Sequence, residues 1–189
     1  MTTSGHLRDD LPDLTSVEAY DERLRQYASD PVFVADAIAL AEARLANAGP
    51  GEELRLRGYL GNACRMVGRL DEAVAHLQRA IALAQAQGNE RAQVANVIRL
   101  GEARKFQNRI ADAERLFRDA LALATDPTAP ALRVYESFAL QHLGKCLIEQ
   151  ERREEAIDVL TRALELRRRE GDIALITSTE AALRLARTS

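Results

Sequence analysis

The chain lacks any long hydrophobic run. No stretch of about 18 apolar residues occurs, so we expect no membrane-spanning helix and no membrane partner. The first residues, MTTSGHLRDDLPD, lack the apolar centre of a secretory signal. Cys64 and Cys146 are the only cysteines, too few for a disulfide framework. These absences predict a cytoplasmic protein, because reducing compartments keep thiols free.

Positive charge is not in excess. The formal net charge is -3, which argues against binding driven by phosphate neutralisation, so no nucleic-acid partner is expected. Lysine is nearly missing, since Lys105 and Lys145 are the only two and every other cation is arginine or histidine. With alanine abundant, this bias is typical of a GC-rich genome. The alternative is a surface that uses arginine for recognition.

The residue clusters of most enzymes and metal sites are also missing. The glycines do not have the spacing of a phosphate-binding loop. His6, His76 and His142 are far apart in sequence, whereas a metal site needs several converging ligands. The acidic pair Asp71-Glu72 falls in the first turn of a predicted helix, where carboxylates favour the helix dipole. We therefore expect no enzymatic activity, no cofactor and no metal.

Aromatic residues make up only 4% of the chain, tryptophan is absent, and β-branched residues do not alternate with polar ones. What is present favours helices, because Ala, Leu, Arg and Glu dominate and all are strong helix formers. The 189 residues are 47% apolar and 29% charged, a globular composition sufficient for one compact domain. The sequence therefore predicts a single all-α domain.

One pattern occurs three times. LGNACRMVGRLDEAVAHLQRAIALA (60–84), LGEARKFQNRIADAERLFRDALALA (100–124) and LGKCLIEQERREEAIDVLTRALELR (143–167) align without a gap. The shared columns are Leu60-Gly61, Leu100-Gly101 and Leu143-Gly144; Ala73, Ala113 and Ala156; Leu77, Phe117 and Leu160; and Ala80, Ala120 and Ala163. Small residues recur where two helices must approach closely, and large apolar residues recur between them. A helical hairpin of this kind cannot bury both faces alone, so the pattern predicts stacked hairpins.

This pattern resembles the tetratricopeptide repeat (TPR), whose helix A carries the Leu-Gly pair and whose helix B carries the two alanine columns. The copies are 40 and then 43 residues apart, against about 34 in the usual repeat. That period is similar to those of kinesin-light-chain and Pins-type adaptors and of bacterial peptide-sensing regulators. The family's early Trp and mid-helix Tyr are replaced, respectively, by Arg57, Val97 and Leu140 and by Cys64, Arg104 and Leu147. The resemblance implies a right-handed superhelical solenoid of antiparallel helix hairpins.

The layout follows from start and stop signals around the repeats. We expect a flexible tail over 1–14 and one repeat domain over 15–189. Within it, 15–50 is predicted as an N-terminal helix pair, 52–170 as three repeats and 172–187 as a capping helix, which makes nine helices. Thr15-Ser-Val-Glu18 has the pattern of a capping box that opens the first helix, and Asp30-Pro31 opens the second.

The resemblance also implies a binding surface, because helix A residues of this family line a concave groove in which peptides lie. The columns carried over are Arg55, Asn62 and Arg65; Arg99, Glu102 and Lys105; and Gln141, His142 and Lys145. Five of these nine are cations and only one is an anion, in a chain that is acidic as a whole. We therefore expect exposed groove residues that bind a protein or peptide with an acidic segment or a free C-terminus.

The residues leave one leading function and two alternatives open. The first is a non-catalytic module that binds a peptide or protein segment in its concave groove. The alternative is a solenoid that assembles with itself as a homo-oligomer, or a peptide-sensing regulatory domain. The oligomeric state in solution separates self-assembly from the first.

Overall fold

The computed structural model describes residues 11–188, which form a helical solenoid. Over these residues there are eight α-helices: α1 Pro31–Leu45, α2 Pro50–Met66, α3 Leu70–Ala86, α4 Glu90–Phe106, α5 Ile110–Thr125, α6 Glu136–Glu149, α7 Arg153–Glu170 and α8 Ile173–Thr188. Each helix packs on the next, and α2/α3, α4/α5 and α6/α7 are the three predicted repeats. The predicted fold class is confirmed.

The N-terminal segment differs from the prediction. In place of a helix over 15–29 there is a 3-10 turn, Leu14–Val17, followed by strands β1 Glu18–Tyr20 and β2 Gln26–Ala28. The strands are antiparallel, with Glu18 opposite Ala28 and Tyr20 opposite Gln26, and we call the segment 18–28 the N-terminal hairpin. The prediction of a first helix, and of nine helices in all, is therefore wrong. The predicted tail over 1–14 lies mostly outside the described residues.

Local side-chain hydrogen bonds explain this difference. Asp13, not Thr15, caps the first turn, because its carboxylate accepts from the Thr15 backbone N–H at 2.9 Å. Asp21 then accepts from the backbone N–H groups of Arg23 and Arg25 at 2.9 and 2.8 Å, which folds the connection between the strands into a turn. Aspartate offers the backbone an alternative to the helix in this way.

Local caps set the boundaries of α1, α7 and α8, and the start of α1 is the predicted one. Asp30 caps α1, with Pro31 as its first residue, by accepting from the Phe33 N–H at 3.0 Å. Gly171 ends α7 in the left-handed region at φ 81°, and Asp172 caps α8 by accepting from the Leu175 N–H. The predicted capping helix is thus present. It completes the core of the third repeat, where Ala182, Leu183 and Ala186 are buried.

The repeat columns are contacts between helix A and helix B. A Cβ added at Gly101 would lie 2.4 Å from Cε1 of the Phe117 ring, and one at Gly144 would lie 2.4 Å from Cγ of Leu160. The glycine column therefore exists because the large residue of helix B fills the space of a side chain. All members of the two alanine columns are fully buried.

Cys64 and Cys146 are free, buried and in different core clusters.

The extra residues of the long period are divided between two places. The helices of the first two repeats are 16 or 17 residues long, and α3 meets α4 through a tight turn at Gly88, whose φ is 63°. Between α5 and α6 the chain adds a loop and a 3-10 helix, Pro130–Tyr135, whose Leu132 is buried in the core. Longer helices and a longer connection thus both contribute to the long period.

Candidate partner-binding groove

The nine predicted groove residues lie on α2, α4 and α6, and these helices contact one another along one side of the solenoid. Arg55 and Arg99 are exposed, and Asn62 and His142 are half-buried. The other five are buried, contrary to the expectation of an exposed groove: Arg65, Glu102, Lys105, Gln141 and Lys145. The column assignment placed the residues on one surface but did not predict what covers it.

The N-terminal hairpin covers the middle of this surface. Arg65 donates from Nη1 to the backbone oxygen of Gln26 at 3.5 Å, and from Nη2 to the side-chain oxygen of the same residue. Lys145 donates to the backbone oxygen of Leu24 at 3.5 Å, and its ammonium lies 5.5 Å from the centre of the Tyr20 ring. The hairpin therefore gives the groove cations neutral oxygens and one aromatic face as direct partners, and its Glu18 carboxylate acts on Arg65 from a longer distance.

Further contacts hold the hairpin and the residues just before it against the solenoid. Arg25 donates from Nε to Oε1 of Glu149 at 3.1 Å and makes a second bond to Oε2, which joins the hairpin to the end of α6. The Tyr59 hydroxyl donates to the backbone oxygen of Pro12 at 2.8 Å. Leu14 and Ala28 are buried in the core cluster of the first repeat. The segment thus reaches from the first repeat to the third.

A buried ionic cluster lies beneath the hairpin. Glu102 Oε1 is 2.9 Å from the Lys105 ammonium and 3.0 Å from His142 Nδ1, and Glu149 is 3.9 Å from the same ammonium. Burial opposes ionisation of Glu102, but the charges of Lys105 and His142 hold its pKa well below the usual value. Burial also lowers the pKa of Lys145, to about 8, so this lysine is easily neutralised if nothing compensates it.

A second buried cation, Arg167, was not predicted. Its Nη1 donates to the side-chain oxygen of Gln141, to the Leu175 backbone oxygen at 3.0 Å and to Thr179 Oγ1 at 2.6 Å. The guanidinium lies 5.2 Å from the centre of the Phe138 ring. Burial lowers the pKa of this side chain to about 10.

A signal for Arg167 was present in the repeat alignment. Arg167 occupies the column of Ala84 and Ala124, both of which are fully buried. A charged side chain in a column of buried alanines indicates a polar site inside the solenoid. The exposed Arg168 and Arg169 lie at the C-terminus of α7, where cations are favoured, so their presence needs no such site.

An open channel runs beside the hairpin. It consists of three cavities of about 500, 330 and 810 Å³ that follow one another from α2 to α8. The first two share Glu18, Asn62 and Arg99, and the last two share Glu102, Phe138 and His142 among others. We call this space the channel. One wall is the hairpin, and the other is the predicted groove surface with α8.

The channel cations have few charged partners. Among residues 11–188, no carboxylate lies within ion-pair distance of Arg65, Arg99, Lys145 or Arg167, whereas helix B arginines such as Arg79 and Arg118 pair with Glu53 and Glu114. Three carboxylates, of Asp13, Glu18 and Glu102, also line the channel. Glu102 is already engaged with Lys105 and His142. The channel therefore has more cations than carboxylates: Arg55, Arg65, Arg99, Lys145 and Arg167 against Asp13, Glu18 and Glu102.

Two further features bear on what this part of the chain can do. Over the described range, no group of three or more His, Cys, Asp or Glu side chains is placed to hold a metal ion. Within the same range, no helix combines the length and the apolar character needed to cross a membrane.

The comparisons with known proteins agree with this architecture. A structural match is BtubC (BKLC) from P. vanneervenii, with 20% identity and a TM-score of 0.62 over 82% of this chain and 63% of that protein. Another is a putative kinesin light chain with nearly identical TPR-like repeats from Podospora anserina, with 15% identity and a TM-score of 0.55 over 82% of this chain and 75% of that one. This chain thus spans less than two thirds of the length of the first. A search of curated protein sequences finds no match.

A comparison with protein families gives a match over most of the chain. The family described as the MalT-like TPR region matches residues 34–188, which begins after the hairpin and ends with α8. TPR-like folds generally serve as protein-interaction or scaffold modules and are generally not enzymes. The match covers most of the chain. The protein therefore belongs to the family of MalT-like TPR regions.

Proposed function

We propose that this protein is a non-catalytic interaction module that binds an acidic peptide or protein segment along its channel. The observation that carries the proposal is the row of channel cations without carboxylate partners. Arg99 shows it best, because its side chain is exposed and its hydrogen-bond partner is the neutral Asn96, at 3.4 Å. A carboxylate is the group that such a guanidinium binds most strongly.

The shape of the channel fits an extended segment. It is long, open to solvent and continuous over three repeats, whereas a small-molecule site encloses most of its ligand. Its apolar lining, which includes Leu54, Phe138 and Leu175, suits aliphatic side chains between the acidic ones.

Nucleic acid is a weaker candidate for the ligand of the channel because the chain carries a net charge of -3. Two buried free thiols agree with a cytoplasmic location.

A charge test addresses the proposal directly. The double variant Arg55→Ala with Arg99→Ala is expected to weaken binding of fluorescein-labelled octaglutamate about 10-fold or more, or about 1.4 kcal/mol. Both side chains are exposed, so the free energy of unfolding should change by no more than about 0.5 kcal/mol. Fluorescence anisotropy at low and high salt measures the affinity, and the loss should shrink with salt because screening weakens the attraction.

The control removes the same charge from the other side of the solenoid. Arg115→Ala with Arg169→Ala changes two exposed arginines of the B helices α5 and α7, neither of which lines the channel. This variant should bind octaglutamate like the parent chain. Equal losses in both doubles would place the binding surface outside the channel. No binding of octaglutamate by the parent would contradict the acidic preference, and a concentration-dependent mass in light scattering would favour self-assembly instead.

A further inference from the structure

We propose that the N-terminal hairpin is an internal occupant of the groove, which an acidic segment displaces when it binds. This inference rests on the proposed function and names how the site is regulated. It predicts two states of one chain. In the closed state the hairpin covers Arg65 and Lys145, and in the open state a partner contacts them.

The closed state leaves the groove cations with weak partners. Arg65 and Lys145 meet carbonyl oxygens of Gln26 and Leu24, and the two main-chain contacts are long, at 3.5 Å each. Hydrogen bonds between charged groups are about twice as strong as those that involve neutral partners. An acidic segment that takes these positions replaces neutral acceptors by carboxylates. The exchange therefore gives both cations a charged partner at hydrogen-bond distance, and for Arg65 this partner replaces the more distant carboxylate of Glu18 on the hairpin.

The hairpin has little stability of its own. Its strands have three residues each, and an isolated two-stranded hairpin is marginally stable at best. The side chains of Tyr20 and Tyr27 remain about half exposed. The family match begins only at residue 34, so the solenoid of this family is defined without the hairpin. Contacts with the solenoid must hold the hairpin in place.

One ion pair is central to those contacts. Among the described residues, the pair of Arg25 with Glu149 is the ion pair that joins the hairpin to the solenoid. Both side chains are largely buried, at 21% and 12% exposed, so the pair is poorly screened. When the hairpin leaves, Glu149 keeps only the more distant Lys105, at 3.9 Å.

The test uses the full chain and a matched pair of variants. Arg25→Glu turns the anchoring pair into a repulsion with Glu149, whereas Arg23→Glu makes the same charge change on an exposed neighbour that has no ion pair among the described residues. Hydrogen exchange of the backbone amides of residues 18–28 reports hairpin release. Anisotropy with fluorescein-labelled octaglutamate reports affinity, and thermal melting shows that both variants remain folded.

We expect Arg25→Glu to raise hydrogen exchange in residues 18–28 and to bind octaglutamate at least about 5-fold more tightly than Arg23→Glu. The gain follows because apparent affinity is reduced by the fraction of closed chains. In the unmodified chain, saturating octaglutamate should also raise exchange in residues 18–28. A partner that binds beside a fixed hairpin would slow this exchange, and that result would overturn the inference while leaving the proposed function intact.

Two other results would overturn it as well. If Arg25→Glu leaves hydrogen exchange unchanged, the ion pair does not hold the hairpin. If exchange rises and affinity does not, the hairpin is released but does not compete with the acidic segment. If octaglutamate binds no variant at all, the proposed function fails together with the inference, which distinguishes that case from the others.

Discussion

Lys105→Met is expected to lower the free energy of unfolding by about 3–5 kcal/mol, the cost of breaking a buried ion pair from one side. The Lys105 side chain is fully buried and lies 2.9 Å from Glu102. Methionine keeps most of its volume, so the loss comes from charge and not from a cavity. Glu102 then stays buried with only His142 beside it, at 3.0 Å.

The dependence of this loss on pH has a definite sign. The charges of Lys105 and His142 depress the pKa of Glu102 in the folded state, against the effect of burial, from an ordinary value of 4.5. A depressed carboxyl pKa stabilises the fold above the unfolded pKa, and this stability is lost as the pH falls through the folded pKa. Without Lys105 the folded pKa of Glu102 rises. The deficit of Lys105→Met should therefore be largest at neutral pH and shrink below about pH 4.5.

Urea denaturation at pH 7 and pH 4 measures both effects. Arg115→Met is the control, because it removes a cation whose pair with Asp119 is exposed at the surface, and it should cost no more than about 1 kcal/mol. Adding Glu102→Gln to Lys105→Met should recover part of the loss, since the unpaired carboxylate is gone. A loss below about 1 kcal/mol in Lys105→Met at pH 7 would mean that this cluster is hydrated and not buried.

The solenoid could be predicted from the sequence because the repeat columns correspond to contacts between neighbouring helices. Gly101 is small because Phe117 fills its space, and the same relation recurs in each repeat. Such contacts join residues fewer than 20 positions apart, so the pattern and the structure it specifies are both local. The helix boundaries at Asp30 and Gly171 were predictable for the same reason.

The cover over the groove could not be predicted in this way. The pattern Thr15-Ser-Val-Glu18 satisfies the rule for a helix start, and nothing in the segment itself shows that a hairpin docks on the repeats. The decisive contacts link residues far apart in sequence, such as Arg25 with Glu149. Local hydrogen bonds of Asp13 and Asp21 form the turns of the segment, and tertiary packing then holds it on the groove. The prediction that Arg65 and Lys145 are exposed is therefore wrong, because both side chains are buried.

Gly101→Ala is expected to destabilise the chain by about 1–3 kcal/mol, because a single methyl group overpacks the contact between α4 and α5. The added Cβ would lie 2.4, 2.8 and 2.9 Å from three carbons of the Phe117 ring, which is fully buried. For a domain of this size the melting temperature should fall by roughly 2–12 °C. Differential scanning calorimetry measures the change.

Gly51→Ala is the matched control for this effect. Gly51 lies in the first turn of α2, where an added Cβ meets nothing within 4 Å. Alanine at such a position limits the unfolded chain, so this variant should be as stable as the parent or up to about 1 kcal/mol more stable. Gly61→Ala and Gly144→Ala should behave like Gly101→Ala, because their Cβ atoms would lie 2.4 Å from Cγ of Leu77 and Leu160. If all three melt with the parent chain, helix A and helix B are farther apart than the repeat columns require, and the alignment of the repeats is wrong.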